Sequence, residues 1–563
     1  MEMALAVYSP VLISPFFGGK RGVWAISPGC WALNPHLKMG SQRRLCMSNS
    51  HSLKLGSLLS YTQMFLSIVM SLAYTPVMIR LLGQNEYGLY QTVVSTVSML
   101  SILSLGFHSG YIRFFTKYRK RNDQEAIFRL NGLYLCLFSV IGLVAFACGM
   151  YLAFHASLLF DKGLTENEYE LAKKLLVILS IHLAVYFPAS VFETIISAHE
   201  KFSWHKAVAI VGTLLNPMIM LPLLLMGFRS VAIVVVTTAV SCLTYLINFC
   251  AVRYKLKQKF YFGKVEKGLL KSLVAFTVFI GLDLIITQIN READKILLAR
   301  YQGTVQVAVY AVGMSMYNYF AEFSASISFV FTPKIHTLYN EFKDDPQRRN
   351  EELSGLFINV GRIQFLLLGL VASGVVLWGR EFIRYWVGQG YENAYWVALL
   401  LVLPSCIELI QSLGIEIQRA MNKHQFRSVA FALMAMANIA MTIFLCQRYG
   451  AVGAAVGTAI SMILANGIAM NIYYYRQCGI NIPRFWKNIG MEARGLVIPV
   501  LLAIGMKLLL PVNSIWMLLA QIAVYTLVYA ASMWKLGMND FEKDLVYSVV
   551  RKVLPKAEKN GVQ

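Results

Sequence analysis

The chain has 563 residues, 57% hydrophobic and 14% charged, with mean hydropathy +0.56 and a formal net charge of +22. A soluble protein carries about a quarter charged residues, so this composition is that of a polytopic membrane protein. The basic residues sit in short loops between apolar runs and not on one soluble surface, which excludes nucleic-acid binding as the origin of the charge. The nine cysteines include no CxxC pair. Cys136, Cys148, Cys242, Cys250, Cys406 and Cys446 lie inside apolar runs, so neither a disulfide frame, a metal site nor a bound cofactor is expected.

Residues 1–56 differ from the rest. Pro10, Pro15, Pro28 and Pro35 interrupt the weakly apolar sequence, and no spanning helix of about 20 residues fits between them. The segment reads as a disordered N-terminal extension, with Met47 the more natural first residue. From 57 onward apolar runs follow one another, and the expected fold is all-α with about fourteen transmembrane helices. The spans fall near 57–79, 88–110, 130–153, 174–195, 207–226, 231–250 and 275–299, then near 305–330, 356–378, 394–415, 428–446, 451–473, 495–511 and 514–533.

The seventh span is set by an internal repeat. Residues 283–303, DLIITQINREADKILLARYQG, match residues 63–83, QMFLSIVMSLAYTPVMIRLLG, at an offset of 220. Arg80 falls on Arg300, Gly83 on Gly303, Tyr90 on Tyr310, and Gln63 opposite Asp283. At the same offset Thr238, Ala239 and Ser241 meet Thr458, Ala459 and Ser461. Two related halves of this length mark a transporter built from repeats. The repeat carries the seventh span past Asn290 and puts Arg291–Lys295 at membrane depth. Charges there must face protein or a wet cavity, not lipid.

Lysine and arginine counts set the orientation. With the N-terminus in the cytoplasm, 39 of the 51 basic residues fall on inside segments. Both termini are therefore expected to be cytoplasmic. The inside segment 253–271 is strongly basic and reads mainly as positive-inside anchoring, with contact to anionic membrane lipids as the lesser alternative.

The segment RLLGQNEYGLY entering span two resembles the oligosaccharide-lipid flippases of the multidrug/oligosaccharidyl-lipid/polysaccharide exporter superfamily. INREADKILLARYQGTVQVAVYAVG entering span eight resembles the same family. The resemblance covers about 50–535. It implies two pseudo-symmetric six-helix bundles, 57–250 and 275–473, joined by a cytoplasmic linker at 251–274 and forming a V around a central cavity. Residues 474–534 would then supply the two extra helices, and 535–563 a cytoplasmic tail. It also implies movement of an undecaprenyl-pyrophosphate-linked oligosaccharide across a bacterial plasma membrane, as in lipopolysaccharide assembly. Glycosyltransferases and a polymerase of the same pathway would be its partners.

Such a cargo needs a hydrogen-bonding cavity and cations for a pyrophosphate. The candidates for a substrate or ion pathway are Gln63, Arg113, Asp283, Asn290, Arg291, Asp294, Lys295 and Glu322. On a helix Asp283, Thr287, Asn290 and Asp294 share one face. Arg291 with Asp294, and Glu292 with Lys295, are also i,i+3 pairs that would neutralise one another. Asp283 has no cation within a helical turn, so a titratable or ion-binding role stands beside a structural one, with a proton or sodium gradient as the driving force. Glu322 has no basic neighbour at three or four. Arg362, Glu193 and Glu416 lie near cytoplasmic ends, where snorkelling is the default, as it is for Arg113. Tyr310, Tyr317 and Tyr319 are candidates for stacking on sugar rings.

Three other functions compete. A multidrug or cation antiporter of the same superfamily would want an acidic, aromatic cavity, whereas here cations and anions mix. A flippase for the cell-wall lipid precursor fits the span count equally. A membrane-embedded glycan polymerase or ligase is disfavoured because the outside loops are short and offer no Ser/His/Asp set, no HExxH and no paired acids with metal-ligand spacing. The chain is therefore expected not to be an enzyme.

Overall fold

The computed structural model describes residues 39–553 except 105, 161–163, 264–267 and 424. Residues 1–38 of the expected N-terminal extension and 554–563 of the expected tail lie outside the described residues. Every described regular element is a helix.

Helix α1, Met39–Met99, is broken at Gly83, where φ 77 and ψ 170 interrupt the helical path. After a 3₁₀ turn come α2, Phe107–Lys120; α3, Gln124–Phe154; α4, Glu166–Ala198; α5, Phe202–Leu225; and α6, Ser230–Cys250. Helix α7, Leu269–Gln302, ends at Gly303 (φ 85, ψ 178), and α8, Thr304–Glu341, starts at the next residue. Then follow α9, Pro346–Trp386; α10, Glu392–Ile410; α11, Leu413–Ala420; and α12, Gln425–Met462, broken at Gly450. A π-helical segment, Ile463–Ala469, leads into α13, Met470–Arg476. The chain continues with α14, Ile482–Ala493; α15, Val497–Leu509; α16, Ile515–Ser532; and α17, Asp540–Val553.

The helix starts follow local chemistry. Asp123 caps α3 by accepting from Ala126 N at 2.9 Å, and Thr165 with Glu168 forms a capping box at α4. Asp345 caps α9 ahead of Pro346, whose missing N–H costs nothing in the first turn. Gly83 and Gly303 take φ/ψ values essentially reserved for glycine. The 220-residue repeat thus reappears as the same backbone break at both positions.

Ten described segments are long and apolar enough to cross a membrane. Two of them, Leu59–Lys120 and Gln425–Arg476, have 62 and 52 residues, and each contains two of the expected spans. The expected seventh and eighth spans fall in α7 and α8, which are not among the ten.

The chain forms two compact units. The first runs through Ala311 and takes in Ile439–Ala454. Inside it, the Glu86 carboxylate accepts from Ser230 N at 2.9 Å and from the Ser230 hydroxyl at 2.6 Å, fixing the start of α6. Gln306 Oε1 accepts from Ala451 N at 3.0 Å, just after the Gly450 break.

The second unit comprises Val312–Asn438 and the chain from Ala455 onward. Its main core gathers Phe357, Ile417, Tyr474 and Phe485, with the rings of Phe357 and Phe485 4.8 Å apart. Helix α16 packs on α9 through polar contacts set in an apolar seam. Trp378 Nε1 donates to Gln521 Oε1 at 2.9 Å, and the Tyr529 hydroxyl donates to the Leu366 carbonyl at 2.6 Å. Arg362 was expected to snorkel, yet it is 3% exposed. Its guanidinium forks onto Glu542 at 2.6 and 3.0 Å and also donates to the Asn488 and Gly537 carbonyls, tying α17 to α9. Each nitrogen of the fork finds an acceptor inside the protein, so the side chain has no reason to reach for water.

Candidate functional site

The charged stretch of α7 lies in the first unit. Gln288 Nε2 donates to the Ser98 carbonyl at 3.0 Å, which fixes the rotation of α7 where α1 ends. Along the polar stripe exposure falls. Thr287 is exposed, Asn290 half-buried and Asp294 only 1% exposed. Asp283 lies on α7, and its side chain is outside the described residues.

The four charges of 291–295 separate into different roles. Lys295 Nζ sits 2.7 Å from Glu292 Oε2, both side chains being mostly buried, so this i,i+3 pair is real. The expected Arg291–Asp294 pair does not form. Asp294 instead accepts from the Tyr310 hydroxyl at 2.6 Å and from the Thr442 hydroxyl at 3.0 Å, both residues being buried. The Tyr310 hydroxyl of α8 and the Thr442 hydroxyl of α12 thus take one carboxylate oxygen each. Arg291 is half-buried, and among the described residues it makes no hydrogen bond and no ion pair. Asn290, half-buried beside it, makes no hydrogen bond among the described residues either.

The other expected pathway residues lie apart from this group. Gln63, on α1, accepts from Lys206 Nζ of α5 at 3.1 Å. Arg113 is exposed on α2. Glu322 is half-buried on α8, in the second unit. Tyr310 cannot stack on a sugar, because it is 1% exposed and its hydroxyl is spent on Asp294. Tyr319 packs edge-on against Trp386.

Sequence reasoning missed Lys206 and Thr442. Both sit in apolar helices without a motif, and their partners lie 143 and 148 residues away. The repeat offered one usable signal. Tyr74 is the counterpart of Asp294, and its hydroxyl is buried with no hydrogen-bond partner among the described residues. The second unit holds a further polar group at the π-helical segment. Asn466 Nδ2 donates to Glu408 at 3.1 Å, and Arg427 stands 3.8 Å from the same carboxylate.

The family model described as polysaccharide biosynthesis protein matches residues 55–338, just over half of the chain. The chain belongs to this family. It is also similar to a Shigella flexneri protein that bears the name of a putative O-antigen transporter, with 21% identity over 71% of this chain and 92% of that one. Among solved structures, the lipid II flippase MurJ in an inward closed conformation matches with a TM-score of 0.64 and 16% identity. That likeness covers 87% of this chain and 99% of MurJ. An inward-facing multidrug resistance MATE family transporter of the MOP superfamily matches with a TM-score of 0.58 and 14% identity, over 76% of this chain and 95% of that one. At such identities the structural likeness shows the fold alone. For this family member, then, the fold is that of the superfamily that the sequence resembled, and the protein is a multi-pass membrane protein.

Proposed function

We propose that the protein is a flippase that carries a polyprenyl-pyrophosphate-linked oligosaccharide from the inner to the outer leaflet of a bacterial plasma membrane, for surface polysaccharide assembly. Membership of the polysaccharide biosynthesis family supports the substrate class. The observation that carries the reading within the molecule is Arg291. Its neighbours are engaged, Lys295 with Glu292 and Asp294 with two hydroxyls, so the cluster leaves one half-buried guanidinium with its donors available.

A guanidinium presents five N–H donors in a plane that matches phosphate oxygens. Partial burial strengthens that pairing relative to bulk water. Asn290, one residue away, adds an amide suited to sugar hydroxyls. Gln63, Arg113 and Glu322 are proposed as further polar points along the path, and Lys295 and Asp294 as residues that hold its walls. Asp283 is proposed to bind the coupling proton or sodium ion. Both termini are proposed to be cytoplasmic, with glycosyltransferases and a polymerase acting before and after transport.

The test is rescue of export in bacterial strains that lack their own O-antigen flippase, using a panel that makes different lipid-linked repeats. Surface polysaccharide should return in at least one strain. Membrane-inserted protein with lipid-linked repeats still confined to the inner leaflet in every strain would refute the assignment.

A further inference from the structure

The basic segment after α6 is not a slack linker. A π-helical turn, Ala251–Lys255, ends α6, and the chain then folds back with Lys257 at φ 51, a left-handed conformation that a lysine adopts only under constraint. The constraint is visible. Asn131 of α3 is fully buried and donates to Gln258 Oε1 at 3.3 Å and to the Lys259 carbonyl at 3.2 Å. Its own side-chain oxygen accepts from the Tyr111 hydroxyl at 2.6 Å. Tyr261 N donates to the Phe128 carbonyl at 3.0 Å. Gly132 allows this approach, since a Cβ there would lie 2.2 Å from the Tyr261 carbonyl oxygen.

This welded strap borders a wide-mouthed surface cavity of about 330 Å³ lined by Arg253, Gln258, Lys259, Phe260 and Tyr261. Among the described residues two cations line it and no acid does. Among the described residues neither Arg253 nor Lys259 makes an ion pair. Tyr254 and Phe262 flank the cavity and are 74% and 65% exposed, and Lys255 lies over the Trp204 ring at 4.4 Å. Aromatic rings beside lysines at the end of a spanning helix are the composition of a headgroup-level contact. A rigid basic cavity at that level suits a phosphodiester whose acyl chains stay in the bilayer.

We infer that the Arg253/Lys259 cavity is a binding site for the phosphate of an anionic phospholipid headgroup. Tyr254 and Phe262 would insert at the headgroup boundary beside it. The site is distinct from α7 and does not depend on which glycan is transported. Its test in detergent micelles does not depend on the orientation of the protein.

The full chain is purified in mixed micelles and titrated with dioleoyl-phosphatidylglycerol or dioleoyl-phosphatidylcholine, with retained lipid read by native mass spectrometry. Phosphatidylglycerol should be retained in preference, and Arg253→Gln/Lys259→Gln should weaken that retention by about tenfold or more. The charge-preserving Arg253→Lys/Lys259→Arg should keep most of it, with unchanged elution on size exclusion showing an intact fold. An equal loss in Lys343→Gln/Arg348→Gln, which removes two charges elsewhere, would reduce the effect to net charge and overturn the site. Displacement of the lipid by millimolar inorganic phosphate would assign the cavity to free phosphate and overturn the lipid assignment.

Discussion

Glu86 and Gln306 stand 220 residues apart and hold the same kind of joint. Each accepts from a backbone N–H at the start of a helical stretch, Ser230 N for Glu86 and Ala451 N for Gln306. Ser230 and Ala451 differ by 221, so the joint has drifted by one residue between the halves. Only the first copy is charged, and its second oxygen also meets Arg229 at 3.1 Å. Arg229 is largely exposed, so that ion pair adds little, and the backbone bond is what matters.

Glu86→Gln should therefore be tolerated, because the amide oxygen still accepts from Ser230 N. Glu86→Ala leaves a buried N–H and hydroxyl without an acceptor and should cost about 1–3 kcal/mol. Thermal unfolding in detergent, followed by size exclusion, checks the order. Equal melting of Glu86→Ala and wild type would remove the joint from the account.

Arg291→Ala should lower glycan export by ten- to a hundredfold, corresponding to roughly 1.5–3 kcal/mol of lost charge-assisted hydrogen bonding, while the protein inserts normally. Arg291→Lys should keep part of the activity, since a cation remains although the fork is lost. Asp294→Asn should act on stability first. An amide offers one acceptor oxygen, whereas Tyr310 and Thr442 now donate to two. A stable Asp294→Asn protein with export abolished would reverse these assignments.

Asp283→Asn should leave substrate binding in place and remove the dependence of transport on an ion gradient. Export measured with the proton and sodium gradients collapsed separately distinguishes the ions. Unaltered gradient dependence in the variant would take Asp283 out of the coupling step.

Cysteine labelling along α7 should follow its graded burial. Cysteines at Thr287 and Asn290 should react with a membrane-impermeant maleimide. Cysteines at Asp294 and Leu298, which are 1% and 0% exposed, should not. Reaction at all four positions, or at none, would mean that the stripe is not the edge of a water-filled path.

Arg362→Ala should be among the most damaging single changes. It strands Glu542 in a buried site beside Glu492, whose carboxylate is fully buried, and breaking such a pair costs about 3–5 kcal/mol. Faster protease removal of α17 should accompany the fall in melting temperature. An unshifted melting temperature would contradict the anchoring role.

What the sequence disclosed was what repeats or alternates. The offset of 220 placed Gly83 opposite Gly303, and the two share one unusual backbone conformation. The apolar runs gave the helices because lipid-facing segments must satisfy their backbone internally. Pairing was legible only where it was local, as for Glu292 with Lys295. The fork of Arg362 onto Glu542 joins residues 180 apart, and no helical spacing announces it. The i,i+3 rule failed for Arg291 and Asp294, where hydroxyls from two other helices take both carboxylate oxygens.

That 180-residue separation sets an order of assembly. Translation adds about 5–20 residues per second, so Arg362 is made roughly 9 to 36 s before Glu542 emerges. Through that interval α9 carries a guanidinium whose final carboxylate does not yet exist. A chain cut short before α17 keeps that state permanently, however well its earlier helices have inserted. The stability of α9 therefore depends on a helix made well after it.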